Sequence, residues 1–352
     1  MRKNPYLFLI SLIIISLFAV TGCTADPGEK PAVRYERPAI GFTAEEEKVT
    51  ELDLQKQYIM NIEAQDGIIR ITRWDKDYIQ VKENRKLKGP VSKGTLKTLL
   101  EKNNYKVETT NYEVKLTKEP DKELKSLFRR TDDIELMIPD TINTVSVNAG
   151  SGAIVISGFN EMSGVDLKLK KGIIKADNCD VNRIDVEITA GELEVKGING
   201  SGSYKCGRGD ITLKDMEGTV EIKSVSGNTT IENLSGRLNA DISSGSITLK
   251  ASQLKADSMI YASYGDIRAD LEGLETEGKY SVRAANGTIR LKMPENTGWS
   301  LLARSTKGKI KNRLELSPDE LKMAPSGELY GDVKGGGPSI DIYIDEGDII
   351  LN

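Results

Sequence analysis

Residues 191–244 divide without a gap into three rows of 18: GELEVKGINGSGSYKCGR (191–208), GDITLKDMEGTVEIKSVS (209–226) and GNTTIENLSGRLNADISS (227–244). Each row opens on a glycine (Gly191, Gly209, Gly227). Leu193, Ile211 and Thr229 follow two residues on, and Val195, Leu213 and Ile231 two further. Then come Ile198, Met216 and Leu234, a second glycine (Gly200, Gly218, Gly236), and an alternating run such as Leu238-x-Ala240-x-Ile242. Self-similarity at a fixed period near 20 marks a repeat architecture.

Within a row the apolar residues step by two, as in a strand with one buried face. The step turns odd from Ile231 to Leu234 and from Ser224 to Thr229. An odd step reverses the inward face of a flat strand, so the chain must bend at both places. Each bend is read as lying beside a glycine, which accepts positive φ at little cost. Two strands and two corners close one coil, and stacked coils place equivalent residues ~4.8 Å apart in parallel pairing. Ile198, Met216 and Leu234 then form an inward ladder. A buried side chain of that size contributes roughly 1.5–3 kcal/mol, so each coil depends on its neighbours. The expected fold is an all-β parallel β-solenoid (β-helix) with coils of 18–22 residues. A β-sandwich of antiparallel strands is the alternative, because turn signals near every nine residues suit one too.

Working outward, the opening signature recurs at Gly152, Gly172, Gly245, Gly265, Gly287 and Gly308, and weakly at Gly327. Residues 149–352 therefore read as regular coils. An insertion near 315–337 carries a helix signal at Ser317-Pro318-Asp319-Glu320, and Ile340–Ile344 with Gly347–Leu351 make one last coil. Residues 45–148 read as an irregular entry with strands at 49–54, 58–64, 67–72 and 78–81. Leu96, Leu99 and Leu100 have helical spacing after Ser92, and Leu124, Leu127 and Phe128 repeat it after Pro120. A hairpin is expected between 105–109 and 112–116.

The N-terminus reads as an export signal. Arg2 and Lys3 precede an apolar run, Leu7 to Val20, too short to span a bilayer comfortably. It ends in Val20-Thr21-Gly22-Cys23, which resembles the lipobox of bacterial lipoproteins. That resemblance implies a signal peptide over 1–22, lipidation (palmitate among the acyl chains) at Cys23, and attachment to the extracytoplasmic face of the cell membrane. Two or more acyl chains anchor a protein stably where one does not. Residues 23–44, with Pro27, Pro31 and Pro38, read as a flexible tether.

The chain of 352 residues has a net charge of −4 and no histidine. The commonest metal ligand and general base is therefore missing. Besides Cys23 there are two cysteines, Cys179 and Cys206, which fall at different points of the coil and read as separate core thiols, a disulfide between them being the alternative that export allows. Residues 82–130 form a basic, helix-bearing insertion with 14 Lys and Arg against 7 Asp and Glu. Lys82, Arg85, Lys86, Lys88, Lys93, Lys97, Arg129 and Arg130 are its candidate patch for anionic lipid headgroups or wall polymers. The alternative is a solvated insertion kept soluble by its lysines. Nucleic acid is not expected as a partner of an exported protein.

The lipobox, the tether, the strand-rich start, Met137-Ile138-Pro139 leading into Val145-x-Val147, and Gly-x-Ile-x-Leu coils thereafter together resemble the bacterial "putative adhesin" family, over roughly residues 45–352. The resemblance implies a right-handed parallel β-helix-like fold on an exported protein. It also raises an association with envelope-stress membrane proteins, and it implies no functional residues. Enzyme chemistry finds no motif. A glycan-cleaving site on a β-helix needs convergent acids, or a base with Arg or Lys, on adjacent coils. The residue after each opening glycine (Glu192, Asp210, Asn228, Ser246, Asp266, Thr288, Lys309) reads instead as a solvated corner. Arg208-Gly209-Asp210 matches the integrin tripeptide at such a corner and is accounted for by Gly209. Aromatic residues are 5% of the chain, so no aromatic platform is legible, and Trp74 and Trp299 read as core covers. No cofactor is expected. The function expected is a non-catalytic binding or scaffold module of the cell envelope, partnered by the membrane through its lipid and by an envelope polymer or membrane protein. An accessory role in envelope-stress signalling and a glycan-active enzyme are the alternatives. Specificity is expected in the departures from the repeat, above all the basic insertion.

Overall fold

The computed structural model describes residues 41–102, 104–118, 127–317 and 319–352. The signal peptide, Cys23 and most of the expected tether lie outside them. The rows stack as their spacing predicts. Strand Ile211–Ser226 pairs in parallel with Thr229–Ser244, Ile211 beside Thr229 and Ile222 beside Ala240. On its other side it pairs with residues 193–208, Leu193 beside Ile211. Parallel pairing of successive rows cannot arise in a sandwich of antiparallel hairpins, so the chain is a β-solenoid. Ile198, Met216 and Leu234 stand in one register column and are buried.

The opening glycines form a column that explains why no other residue occurs there. A Cβ on Gly172, Gly191, Gly209, Gly227 or Gly245 would fall 1.7–2.0 Å from the carbonyl oxygen of the glycine one coil back. Their φ angles, +126° to +140°, are strained for any L side chain. The other bend corrects the sequence reading. The step from Ile231 to Leu234 reverses at Asn233, not at a glycine. Asn178, Asp215 and Asn233 all take φ near +50°, the left-handed conformation that Asn and Asp tolerate best after glycine. The Asn233 amide donates to the Asp215 carboxylate one coil away at 2.8 Å, tying the bends together.

Both ends of the stack depart from chain order. Strand Ile59–Arg73 pairs with Thr144–Met162 on one side and with Glu113–Thr117 and Arg129–Ile138 on the other. The later segment thus lies outside the earlier one. Tyr78–Gly89 then adds antiparallel to Arg129–Ile138, and Phe42–Asp53 antiparallel to Tyr78–Gly89. Strand Phe42–Asp53 begins inside the expected tether. The helix appears as Lys93–Lys102, with the Ser92 hydroxyl accepting the Thr95 N–H at 3.2 Å, a cap. Its Leu96 and Leu100 pack on Ala44 and Leu87. The hairpin forms as Lys106–Thr109 with Glu113–Thr117. Of the second expected helix, Leu124 lies outside the described residues, whereas Phe128 packs beside the same apolar cluster.

The C-terminal end mirrors this arrangement. Ser339–Leu351 is not the outermost coil. It is inserted between Lys279–Lys292 and Trp299–Lys307, parallel to both. The glycine column records the order: Gly347 abuts the Gly287 carbonyl and Gly308 abuts that of Gly347. Among the described residues of 315–337 there is no helix. The Glu320 carboxylate accepts from Ser317 N–H and Oγ–H, both at 2.9 Å, and from Lys334 N–H at 3.0 Å. That closes a single turn, and Leu321–Met323 then pairs antiparallel with Leu329–Val333. Gly327 is a turn residue with open space around it, not a coil corner. Antiparallel strands thus finish the stack at both ends, where a parallel edge would otherwise be exposed.

Candidate functional site

The basic residues singled out from the sequence do not form one open patch. Lys82 and Lys86 project from Tyr78–Gly89 onto the facing glutamates of Phe42–Asp53, Lys82 3.3 Å from Glu47 and Lys86 2.6 Å from Glu45. Arg85 lies on the opposite, inward face of that strand and is 1% exposed. Its guanidinium reaches the Glu46 carboxylate at 2.9 Å, the Leu100 carbonyl at 3.1 Å and the Asn104 side chain. Glu83 is buried beside it, 3.8 Å away. Arg85 is therefore an internal ion that ties the helix C-terminus to the end sheet, and it leaves the patch. Arg130 grips the Asp132 carboxylate with Nε at 3.0 and 2.8 Å, and Lys118 pairs with the same group. Lys88, Lys93 and Lys97 have no ion-pair partner among the described residues, and Arg129 is exposed. The reason is alternation: every second residue of 82–88 points inward, where Arg85 meets Glu46, and the outward-pointing Lys82 and Lys86 meet Glu47 and Glu45.

A different surface is assembled by cross-coil register. One outward column runs Lys205, Lys223, Asp241, Tyr261, Arg283, Tyr343 and Arg304, each the direct strand partner of the next. The column two residues earlier runs Ser203, Glu221, Asn239, Met259, Ser281, Asp341, Leu302 and Tyr330. The face changes chemistry along its length. Towards the N-terminal end it is ionic. Lys168 donates to Asp166 at 2.8 Å, and Arg183 holds Asp185 by two bonds of 2.6 and 3.0 Å. The Asp166 partner accordingly raises the pKa of Lys168. These residues line a shallow groove of about 280 Å³ with Glu187 and Lys205. Acids and bases do converge on adjacent coils here, but Asp166 and Asp185 are each held by a cation two residues along their own strand.

Towards the C-terminal end the same face is aromatic. Met259 is 48% exposed and Tyr330 45%, while Tyr261, Tyr343 and Leu302 are half-buried. The Tyr261 hydroxyl accepts from Ser263 at 3.2 Å. The Tyr343 hydroxyl donates to Asp345 and lies 3.2 Å from the Thr306 hydroxyl. Both rings therefore lean the same way along their strands, towards the residue two positions on. Arg283 pairs with Asp341 at 3.1 Å, and Arg304 with Glu328 at 3.0 Å. Composition alone hid this surface, since the three tyrosines lie far apart in sequence. The insertion of Ser339–Leu351 and the antiparallel return of Leu329–Val333 bring them together.

The remaining candidates have structural partners. Cys179 and Cys206 are free and buried, and burial pushes both thiols up, away from reactivity. The corner residues do more than face solvent. Asp210 accepts the Asn228 N–H at 2.8 Å, Asn228 the Ser246 N–H at 3.2 Å, and Asp266 the Thr288 N–H at 2.9 Å, each linking one coil to the next. The tripeptide at 208–210 is thus a coil corner whose carboxylate is engaged. Trp299 is buried as expected, whereas Trp74 is half-buried edge-on to Tyr78, with Lys76 over its ring. Among the described residues no group of three or more His, Cys, Asp or Glu is placed to hold a metal ion.

A family model described as Toastrack DUF4097 matches residues 47–277. No curated protein matches the chain. Solved structures similar to it include a "putative cell adhesion protein" from Clostridium sporogenes, 11% identical, covering 87% of this chain and 98% of that one with a TM-score of 0.22. A "putative adhesin" from Bacteroides fragilis is 13% identical over 87% and 97%, with a TM-score of 0.35. A "putative lipid binding protein" from Parabacteroides distasonis is 12% identical over 87% and 96%, with a TM-score of 0.33.

Proposed function

The chain belongs to the Toastrack DUF4097 family, and on that footing we propose that it is a non-catalytic binding module, held at the extracytoplasmic face of the cell membrane by lipid on Cys23. The observation that carries the binding role is the aromatic stretch of the outer face, where Met259, Tyr261, Leu302, Tyr330 and Tyr343 gather on a rigid frame. Exposed apolar and aromatic side chains gathered on one surface mark interaction sites. The anchoring half rests on the sequence Val20-Thr21-Gly22-Cys23. The partner is an envelope polymer that lies against this face.

Two measurements test the two halves. Cys23→Ser should abolish labelling by radioactive palmitate and move the protein out of the membrane fraction; unchanged labelling would refute the anchor. The wild-type protein should be retained by purified envelope polysaccharide. If cross-linked membranes instead yield one stoichiometric membrane protein and no polymer binds, the signalling role replaces this reading.

A further inference from the structure

Across five neighbouring strands of the outer face the side chains alternate Tyr261, Arg283, Tyr343, Arg304, Tyr330. The first four are successive direct partners. Tyr330 stands opposite Leu302, two residues from Arg304, on the next strand out. Strands lie ~4.8 Å apart, so Tyr343 is two spacings, roughly 9.6 Å, from Tyr261 along the stack, and Tyr330 is two spacings further out but displaced by two residues, roughly 7 Å, along the strand direction. In an extended β-1,4-linked polysaccharide each sugar is turned about half a revolution from the last, so equivalent ring faces recur at every second residue, an interval of the same length. The geometry points to a linear, uncharged β-1,4-linked glycan running across the strands, with alternate rings on Tyr261 and Tyr343 and its course turned slightly from the solenoid axis to reach Tyr330. This assignment rests on the binding-module reading above and specifies its ligand.

Three observations favour that ligand class. The tyrosines are pre-set. Tyr261 and Tyr343 are held through their hydroxyls by Ser263, Asp345 and Thr306, so little rotamer freedom is lost on binding. The intervening arginines are already matched by acids, Arg283 by Asp341 and Arg304 by Glu328. A polyanion would have to displace a carboxylate at each step. A neutral chain instead finds exposed donors and acceptors side by side for its hydroxyl or acetamido groups. Finally, the run is bounded. One coil before Tyr261 the column carries Asp241, and before that Lys223. Three platforms therefore correspond to a chain of about five or six sugars.

The experiment is isothermal titration of the detergent-solubilised full-length protein with cello- and chito-oligosaccharides of two to six sugars, and with polygalacturonate. Affinity should rise steeply with length up to five or six sugars. Tyr343→Ala, which removes the central platform, should lower hexasaccharide affinity at least tenfold. Tyr343→Phe, which keeps the ring, should lower it only a few-fold, and Tyr264→Ala, an exposed tyrosine outside the run, less than twofold. Circular dichroism melts of all variants should coincide with wild type. Binding of polygalacturonate with no binding of either neutral series would overturn the assignment, as would equal losses for the Tyr343→Ala and Tyr264→Ala proteins. Retention on envelope polymer that ignores Tyr343→Ala overturns it too but leaves the binding-module reading intact. If no polymer is retained at all, both fall.

Discussion

The two halves of the outer face, ionic around Asp166 and Asp185 and aromatic around Tyr261 and Tyr343, are built on the same coil. Inward, both present buried aliphatic ladders: Val165, Leu167 and Leu169 in one, Ile340, Ile342 and Ile344 in the other. Corner glycines with φ near +140° serve both, Gly172 and Gly347. Only the outward residues differ. In a solenoid each inward position is fixed by the coil above and the coil below, while an outward position meets solvent and two lateral neighbours. Outward chemistry can therefore change from one coil to the next without disturbing the frame. The ionic half closes on itself through pairs along and between strands; the aromatic half leaves apolar surface exposed. That difference is why binding is proposed for the second half and a stabilising role for the first.

The comparison breaks most visibly if inward and outward substitutions prove equivalent. Ile211→Asp places an unpaired carboxylate in the ladder between Leu193 and Thr229. It should destabilise the protein by roughly 3–5 kcal/mol, the range for an uncompensated buried charge. One residue earlier, Asp210→Ala removes only the bond to the Asn228 N–H and should cost about 1 kcal/mol. Asp210→Asn keeps an acceptor oxygen there and should cost less. Urea unfolding midpoints of the three variants decide this. Similar shifts for Ile211→Asp and Asp210→Ala would mean that the inward register is wrong.

A smaller effect sharpens the boundary between the halves. Lys223 lies in the tyrosine column two strands before Tyr261 and is exposed. Lys223→Tyr would add a fourth platform at the same interval, at an edge of the ionic half. Tyrosine suits an exposed strand position, so the fold should tolerate the change. Binding of a neutral octasaccharide should strengthen about threefold, roughly 0.6 kcal/mol, while a tetrasaccharide should bind as before. No gain for the longer chain would show that the ionic half differs in more than its side chains.

The frame was largely legible in the sequence because its constraints repeat. The glycine column and the Ile198–Met216–Leu234 ladder are each visible as an 18-residue period. What could not be read is adjacency without periodicity. The interval from Gly287 to Gly308 resembles one coil, yet Ser339–Leu351 separates them in space. The same insertion brings Tyr343 beside Arg283, so the aromatic run was hidden for the same reason. The basic stretch misled differently. A charge count does not see strand alternation, which turns Arg85 inward and aims Lys82 and Lys86 at Glu47 and Glu45. The Asn233 bend was missed because Asn in the left-handed conformation leaves a weaker mark than glycine.

The smallest expected effect concerns how ionic columns hold coils together. On another face Glu232 sits between Lys250 at 2.6 Å and Lys214 at 2.9 Å, one from the coil on either side. The hydrogen bonds from Lys250 and then Lys214 hold its carboxyl below the usual 4.5, and Lys214 is raised in turn by the same contact. A carboxylate whose pKa is lower folded than unfolded adds stability that is complete above the unfolded value. That stability is lost as pH falls through the folded one. Glu232→Gln should therefore lower the thermal midpoint at pH 7 and leave it unchanged at pH 2, with the difference closing below pH 4.5. Exposed pairs contribute little and are screened by salt, so the shift should be about two degrees or less and should shrink in 0.5 M NaCl. The matched substitution in the aromatic half, Tyr261→Phe, removes no charge, and its effect on the midpoint should not vary between pH 7 and pH 2. A pH-independent deficit in the Glu232→Gln protein would mean that the column acts through packing of the lysine and glutamate stems, and that ionic and aromatic outward columns stabilise neighbouring coils by the same means.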